Sequence, residues 1–302
     1  MRIVFLGGGE ISVPSLKRLI DDGHEILAVV CQPDKPNARG NKIEMLPVKK
    51  FAISKNIPVL QFTKIREDGV LPLKELNPDL MVVVAYGQIL SQEVIDLPKF
   101  GTINVHASLL PKYRGSSPII SAVLNGEETT GVTIMRIAKE VDSGNIFLKG
   151  ETKILENETA GELSERLAEL GANLLSKVVV EIENGTAKEE QQNHSQATFT
   201  KMIRKEDGLI DFLKTAKEIK NQVRAFNPAP VAYIERNGEK IKVYEVEVVL
   251  ADETISSGEI ISSNNKEGIV VKCKKDAVKI LKLQAPGGKA MDWKSYLNGR
   301  KF

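Results

Sequence analysis

Asp79–Tyr86 reads DLMVVVAY, an almost unbroken apolar run. A strand half-exposed to water alternates polar and apolar residues; one without that alternation is covered on both faces. The flanking segments repeat the theme. Arg2–Leu6 is a short apolar, β-branched run that ends in Gly7-Gly8-Gly9, and Val13–Asp22 then sets Leu16, Leu19 and Ile20 on one helical face. Glu25–Gln32 reads as a strand, Pro47–Lys55 as a helix, Ile57–Gln61 as a strand and Pro72–Leu76 as a short helical turn. Gly101–His106 and Gly131–Ile137 are further strands. This alternation predicts an α/β, Rossmann-like fold with a mostly parallel sheet and helices on both faces.

Thr159–Glu183 is the clearest helix, with Leu163, Leu167, Leu170, Leu174, Val178 and Ile182 repeating at three and four residues. The polar run Thr186–Ala197 follows, without periodicity. Beyond it, one helix at Thr215–Ala225 gives way to short strands at Val231–Glu235, Lys240–Val249, Gly258–Ser262, Gly268–Lys274 and Ala277–Gln284. Such spacing predicts a small OB-like β-barrel. The expected domains are 1–189 (catalytic) and 207–302 (C-terminal), with 190–206 as linker.

At 42% hydrophobic and 27% charged, the composition is that of a soluble globular protein. Charge is uneven: residues 1–200 carry 22 Lys and Arg against 26 Asp and Glu, a net of −4, and residues 201–302 carry 20 against 14, a net of +6. A basic final third suits a polyanion, although a lysine-rich solvated surface explains it equally well. Cys31 and Cys273 are far apart in apolar runs, so buried free thiols are expected and a zinc site is not. No metal is expected. Met1 leads directly into a strand and no apolar run reaches membrane-spanning length, so a cytoplasmic protein with no membrane partner is expected. A monomer is expected.

Gly7, Gly9 and Ser12 fall where a dinucleotide fingerprint has three glycines, and the second strand ends in Gln32-Pro33-Asp34 rather than a clear ribose-binding acid. A tight strand-to-helix turn is the better reading. The stronger signal is Ile103–Gly115, INVHASLLPKYRG. Asn104 and His106 are two apart on a strand, hence on one face, at the strand's C-terminal end, where open α/β sheets bind ligands. Asp142 lies in a Val-Asp-Ser-Gly turn after the strand Val132–Ile137, a position also taken to be on the C-terminal side of the sheet. An amide to hold an oxyanion, an imidazole for a proton and a carboxylate to orient it make an acyl-transfer set. Each has a plainer alternative: a satisfied core histidine, an aspartate that merely forms a turn.

Asn104-Val105-His106, Ser108-Leu109-Leu110-Pro111, Tyr113-Arg114-Gly115 and the downstream Asp142 resemble the signature of the folate-dependent formyltransferases. Ala85-Tyr86-Gly87-Gln88-Ile89-Leu90 resembles their segment that holds the pterin ring through its backbone. Gln32–Ala52 (QPDKPNARGNKIEMLPVKKFA), Lys205-Glu206-Asp207-Gly208 with Ile210-Asp211, and Arg224-Ala225-Phe226-Asn227-Pro228 are similar to the branch of that family that formylates initiator methionyl-tRNA. The likeness runs in order along essentially the whole chain. Gly8–Ser12 (GGEIS) departs from the family's Thr-Pro-type turn.

The resemblance implies transfer of formyl from the co-substrate 10-formyltetrahydrofolate to the free amino group of methionyl-tRNA, giving the formylmethionyl-tRNA used in translation initiation. It implies Asn104, His106 and Asp142 as catalytic residues. Tyr86, Gly87, Gln88, Ile89 and Leu90, with Ser108, Leu109, Leu110 and Pro111, would hold the folate. Arg39, Lys42, Lys205 and Arg224 would contact tRNA, and Lys201–Lys205 and the Lys272–Lys282 run would supply phosphate contacts that position rather than specify. Lys272, Lys274 and Lys275 fit edge-strand protection equally well. The residues alone leave open a formyltransferase for a small amine, such as an amino sugar, and a nucleic-acid-binding module with a degenerate Rossmann-like half.

Overall fold

The computed structural model describes residues 1–36 and 43–302. Arg39 and Lys42 lie outside the described residues. Two compact units emerge, each discontinuous in sequence. The first comprises Met1–Pro118, Thr129–Thr152 and Ser164–Thr200; the second comprises Ile119–Glu128, Lys153–Leu163 and Lys201–Phe302.

The first unit is built on strands β1 (Arg2–Gly7), β2 (Glu25–Cys31), β5 (Val59–Gln61), β6 (Leu80–Val84), β7 (Thr102–His106), β8 (Thr129–Arg136) and β9 (Ile146–Lys153), with a small pair β3 (Lys35–Pro36) and β4 (Ile43–Glu44) apart from them. The sheet order is β5-β2-β1-β6-β7-β8-β9. All pairings from β5 to β7 are parallel, and β7 with β8 is antiparallel. The expected mostly parallel sheet is present. Ile3, Val4, Phe5 and Leu6 are each 0% exposed, which no strand with a wet face achieves. Helices α1 (Val13–Asp21), α2 (Pro47–Ser54), α3 (Ile65–Asp68), α4 (Val70–Leu76) and α5 (Gln92–Ile95) alternate with the strands; α6 (Pro118–Leu124) falls almost wholly in the second unit, as does the first turn of α7 (Ala160–Glu183), the rest of which belongs to the first. One apolar layer joins Val4, Leu6, Val30, Met81, Val83 and Tyr86 to Phe62, Ile65, Leu73 and Val94. On the other side α7 approaches β7 closely: a Cβ on Gly171 would sit 2.8 Å from Val105 Cγ1, inside van der Waals contact. Val105 thus faces α7, and Asn104 and His106, on either side of it, face the opposite way.

Chain order reverses between β1 and β6, whose outer neighbours are β2 and β7. Loops leaving the C-terminal ends of strands diverge at such a point and leave a crevice. Here the first turns of the two loops touch. A Cβ on Gly8 would lie 2.3 Å from the Ala85 carbonyl oxygen, so only glycine allows that approach. Ser12 is buried and its hydroxyl donates to the Gly9 carbonyl (2.7 Å), closing the turn that leads into α1.

The second unit holds β10 (Ala232–Arg236), β11 (Glu239–Val249), β12 (Ile260–Asn264), β13 (Gly268–Lys272), β14 (Ala277–Gln284) and β15 (Met291–Asp292), with helices α8 (Ala216–Ala225) and α9 (Trp293–Gly299). The strands form one antiparallel sheet in the order β10-β11-β14-β13-β12, with β15 beside β14. Ile219 and Val223 of α8 and Tyr296 of α9 close one apolar core with Ile234, Val243, Val271 and Ile280. A T-x-x-E capping box starts α8: Glu218 N donates to Thr215 Oγ1 (3.3 Å), and the Glu218 carboxylate accepts from Thr215 N (2.8 Å). The same device, Thr159 with Glu162, precedes the long α7. Among the described residues no helix is long and apolar enough to cross a membrane.

Candidate active site

The sequence reading placed Asp142 at the C-terminal side of the sheet because it follows a strand. The reason is wrong, although the residue does reach the site. β8 runs antiparallel to β7, so Arg136 at its end lies opposite Ile103, and His106 lies opposite Thr133. The chain then turns back between Ile137 and Asn145, and Asp142 Oδ2 comes within 3.6 Å of His106 Nδ1. Asp142 adopts φ = +49°, a left-handed conformation that costs a side-chain-bearing residue about 1–3 kcal/mol unless its surroundings impose it. Its carboxylate also accepts from the Gly115 amide at 2.7 Å.

His106 is 6% exposed, and its Nε2 lies 2.9 Å from the Tyr113 carbonyl oxygen. A carbonyl only accepts, so Nε2 carries a proton and Nδ1 is the nitrogen turned towards Asp142. Tyr113 itself sits at φ = +59°. The tautomer is therefore set by the loop backbone, a job the sequence reading gave to Asp142. Asn104, two residues before His106 on the same face, is part-exposed, and its amide makes no hydrogen bond among the described residues. An unengaged amide beside a positioned imidazole and carboxylate can donate to an oxygen that becomes negative during reaction.

The loop after β7 is internally braced. Ser108 is fully buried, and its hydroxyl donates to the Lys112 carbonyl (2.7 Å). Thr133 Oγ1 donates to the Ser108 carbonyl and accepts from the Leu110 amide. Leu110 is 1% exposed, and the Leu110–Pro111 peptide is cis. Ser108 and Leu110 thus shape the loop, while Leu109 and Pro111 are half-buried.

The loop after β6 works differently. Ala85, Gly87 and Ile89 are exposed, Tyr86 is buried, and Gln88 and Leu90 are half-buried. Burial pushes the Tyr86 phenol well above its usual range, and its hydroxyl has no hydrogen-bond partner among the described residues. The Gln88 side chain donates to the Phe62 carbonyl and accepts from the Ile65 amide, so it too is structural. Gln32 Nε2 donates to the Tyr86 carbonyl (3.0 Å). Outside strands and helices, no backbone hydrogen bond among the described residues uses the amides or carbonyls of Gln88, Ile89 and Leu90. What this loop offers a ligand is main chain. A hollow of about 480 Å³ lies elsewhere, lined by Phe100, Arg136, Phe147 and Glu189, and none of the expected site residues lines it.

One segment packed against the site carries no local mark in the sequence. The polar run taken as linker is docked in the first unit as far as Thr200. Glu190 and Ile146 exchange backbone hydrogen bonds (2.8 and 2.9 Å), and Arg114 N and O bond Thr198 O and Thr200 N. Within it Gln192 is 5% exposed and contacts Arg114, Asp142 and Gly144. Nothing in TAKEEQQNHSQA marks one glutamine as buried, since its partners are 48 to 78 residues away in sequence.

Comparison with known proteins matches residues 1–179 to the Formyl transferase family and residues 202–301 to the Formyl transferase, C-terminal domain, family. The chain belongs to the formyl transferase family. It is 44% identical over 304 residues to the methionyl-tRNA formyltransferase of Sulfurihydrogenibium sp., covering 100% of this chain and 98% of that one. With the methionyl-tRNA formyltransferase of Clostridioides difficile it is 45% identical over 300 residues, 99% and 97% of the two chains. The fold is shared with a sugar 3N-formyl transferase solved in the presence of dTDP and 5-N-formyl-THF: TM-score 0.68, 24% identity, 96% of this chain and 99% of that one.

Of the residues expected to touch tRNA, Arg39 and Lys42 are outside the described residues, and Lys205 is exposed. Arg224 is held inside its own unit: Nε donates to Asn221 Oδ1 (3.0 Å), and Nη1 to the Leu155 and Glu158 carbonyls (3.1 and 3.4 Å). Lys272, read as a phosphate contact, is 1% exposed, with Nζ donating to the Cys273 carbonyl and paired with Glu253. Its outward neighbours Lys274 and Lys275 are exposed.

Proposed function

We propose that this chain transfers the formyl group of 10-formyltetrahydrofolate to the amino group of initiator methionyl-tRNA, acting as a cytoplasmic monomer. The observation that carries the reading is the pairing, on one chain, of the Asn104, His106 and Asp142 site with full-length identity of about 44% to methionyl-tRNA formyltransferases. The neutral amine attacks the formyl carbon and a tetrahedral oxyanion forms; the attacking nitrogen loses its proton to His106, N10 of the folate gains one, and collapse expels N10 as a neutral amine. Asn104 donates to that oxyanion; one such donor is commonly worth about 3–4 kcal/mol. His106, held through Nε2 by Tyr113, keeps Nδ1 unprotonated and able to take a proton beside Asp142. Asp142 stabilises the imidazole when it takes the amine's proton. The free main chain of Gln88–Leu90 holds the pterin, with Leu109 and Pro111 against it. Lys205, Arg39 and Lys42 meet tRNA phosphates, and Arg224 braces the second unit, to which Lys205 belongs.

The test is transfer of labelled formyl from 10-formyltetrahydrofolate, with methionyl-tRNA and a nucleotide-linked amino sugar offered in parallel. Rapid labelling of methionyl-tRNA and none of the sugar is expected. The reverse preference would overturn the assignment.

A further inference from the structure

Gln192 makes four hydrogen bonds from a nearly closed position. Its amide oxygen accepts from Arg114 Nη2 (2.7 Å) and Nε (3.1 Å), and its amide nitrogen donates to the carbonyls of Asp142 (2.8 Å) and Gly144 (2.7 Å). Two acceptor sites and two donors are all that a glutamine amide has. Because a guanidinium only donates and a carbonyl only accepts, the amide has one possible orientation. Arg114, 3% exposed, immediately follows Tyr113, whose carbonyl accepts from His106. Gly115, next in sequence, donates its amide to the Asp142 carboxylate. One side chain therefore joins the loop that orients His106 to the turn that carries Asp142. It grips that turn at the left-handed residue and again two residues on.

We propose that Gln192 is a positioning residue for formyl transfer, keeping the Asp142 carboxylate against His106 Nδ1. The inference rests on the function proposed above. It makes part of the apparent linker a working part of the catalytic unit. The amide chemistry is required: a glutamate would still accept from Arg114 but would turn a carboxylate oxygen towards two carbonyl oxygens with no proton between them.

The test compares the full chain with Gln192→Glu, Gln192→Asn, Asp142→Asn and the double variant Gln192→Glu/Asp142→Asn. A shift of reacting groups by about an ångström can cost about 10²-fold. Gln192→Glu is expected to lower kcat by about that factor while both KM values stay within about threefold. Residues that act as a unit are non-additive, so the double variant should be no slower than Asp142→Asn alone. Multiplicative losses, or a change confined to KM, would overturn the proposal. If Gln192→Glu fails to fold, Gln192→Asn, which keeps the amide one methylene short, is expected to show a smaller loss of the same kind; a wild-type rate overturns the proposal. A crystal structure of a folded Gln192 variant needs no substrate: Asp142 should have withdrawn from His106, and an unmoved Asp142 overturns the inference. A wild-type chain that fails to formylate methionyl-tRNA would instead sink the functional reading and leave the structural readout in force.

Discussion

At the end of β7 the polar side chains of the candidate site are tied down: His106 has Tyr113 and Asp142, Asp142 has Gly115, and Arg114 has Gln192, while the Asn104 amide makes no hydrogen bond among the described residues. In the second unit the picture inverts. Lys201, Lys205, Lys274 and Lys275 are exposed and form no salt bridge among the described residues, whereas Lys272 and Arg224, equally basic in sequence, are engaged internally. On the function proposed above, the first region would act through distances and the second through charge. Losing one group should therefore be catastrophic in the first and graded in the second.

The largest effect is expected in the first region. Asn104→Ala, His106→Ala and Asp142→Ala should each leave a folded protein and lower the single-turnover rate by about 10²–10⁴-fold. Substrate dissociation constants should move far less, because these groups act in the transition state. Rapid-quench measurement with saturating folate and methionyl-tRNA decides it. A His106 variant with the wild-type single-turnover rate would remove the imidazole from the mechanism.

Next comes a cation that belongs to the fold. Arg224→Ala removes three donor contacts within the second unit, to Asn221, Leu155 and Glu158. Hydrogen bonds from charged groups are worth about 1.5–3 kcal/mol, so a loss of about 2 kcal/mol in denaturant unfolding is expected. The salt dependence of tRNA binding should stay as in the parent chain. A lower salt slope with unchanged stability would return Arg224 to the phosphate-binding set.

Lys205→Ala should do the opposite. Stability should hold, and tRNA affinity should fall a few-fold at low salt, with the slope of log affinity against log salt reduced by about 1. Folate binding should be unaffected. Truncating the chain after residue 189 would be a poor substitute for this experiment. It would remove Gln192 and Thr198–Thr200 from the first unit while leaving Ile119–Glu128 and Lys153–Leu163 of the second.

The contrast between the regions also explains what was legible in sequence. Strands at Arg2–Gly7 and Leu80–Val84 declare themselves as unbroken apolar runs because both faces are covered, and the strands after Ala225 by apolar residues that recur where one face is buried. The shared face of Asn104 and His106 was legible because two residues two apart on a strand point the same way; the position of Asp142 beside them was not, because it depends on the turn between Ile137 and Asn145. The direction of β8 was not legible, because an apolar strand reads the same whichever way it runs. β9, α6, the burial of Gln192 and Lys272 and the internal engagement of Arg224 carry no such local mark. A polar side chain becomes interior only when distant residues complete its hydrogen bonds, and no local pattern records those partners. Charge counting treated Lys272 and Lys274 alike, although one is 1% exposed and the other faces water.

The smallest expected effect tests whether the docked segment 189–200 is secured away from the site as well as in it. Glu189 accepts from Arg136 Nε and Nη2 and from Asn145 Nδ2, and the hydrogen bonds from Arg136 hold its carboxyl below the usual glutamate range, with burial opposing. A depressed folded-state pKa means that the stabilisation is complete above the unfolded value, about 4.3, and disappears as pH falls through the folded one. Both side chains are about one-third exposed, so solvent screening limits the contribution to less than about 1 kcal/mol. Glu189→Gln should therefore be slightly less stable than the parent at pH 7, and the two stability curves should converge as pH is lowered from about 5 towards 3. The activity of Glu189→Gln at pH 7 should be close to the parent's, because Gln192, three residues on, keeps its own four hydrogen bonds. Curves that stay parallel down to pH 3 would show that this ion pair contributes nothing to docking. A large loss of kcat in Glu189→Gln would show that the segment is held from its Arg136 end, and Gln192 would then follow the docking instead of causing it.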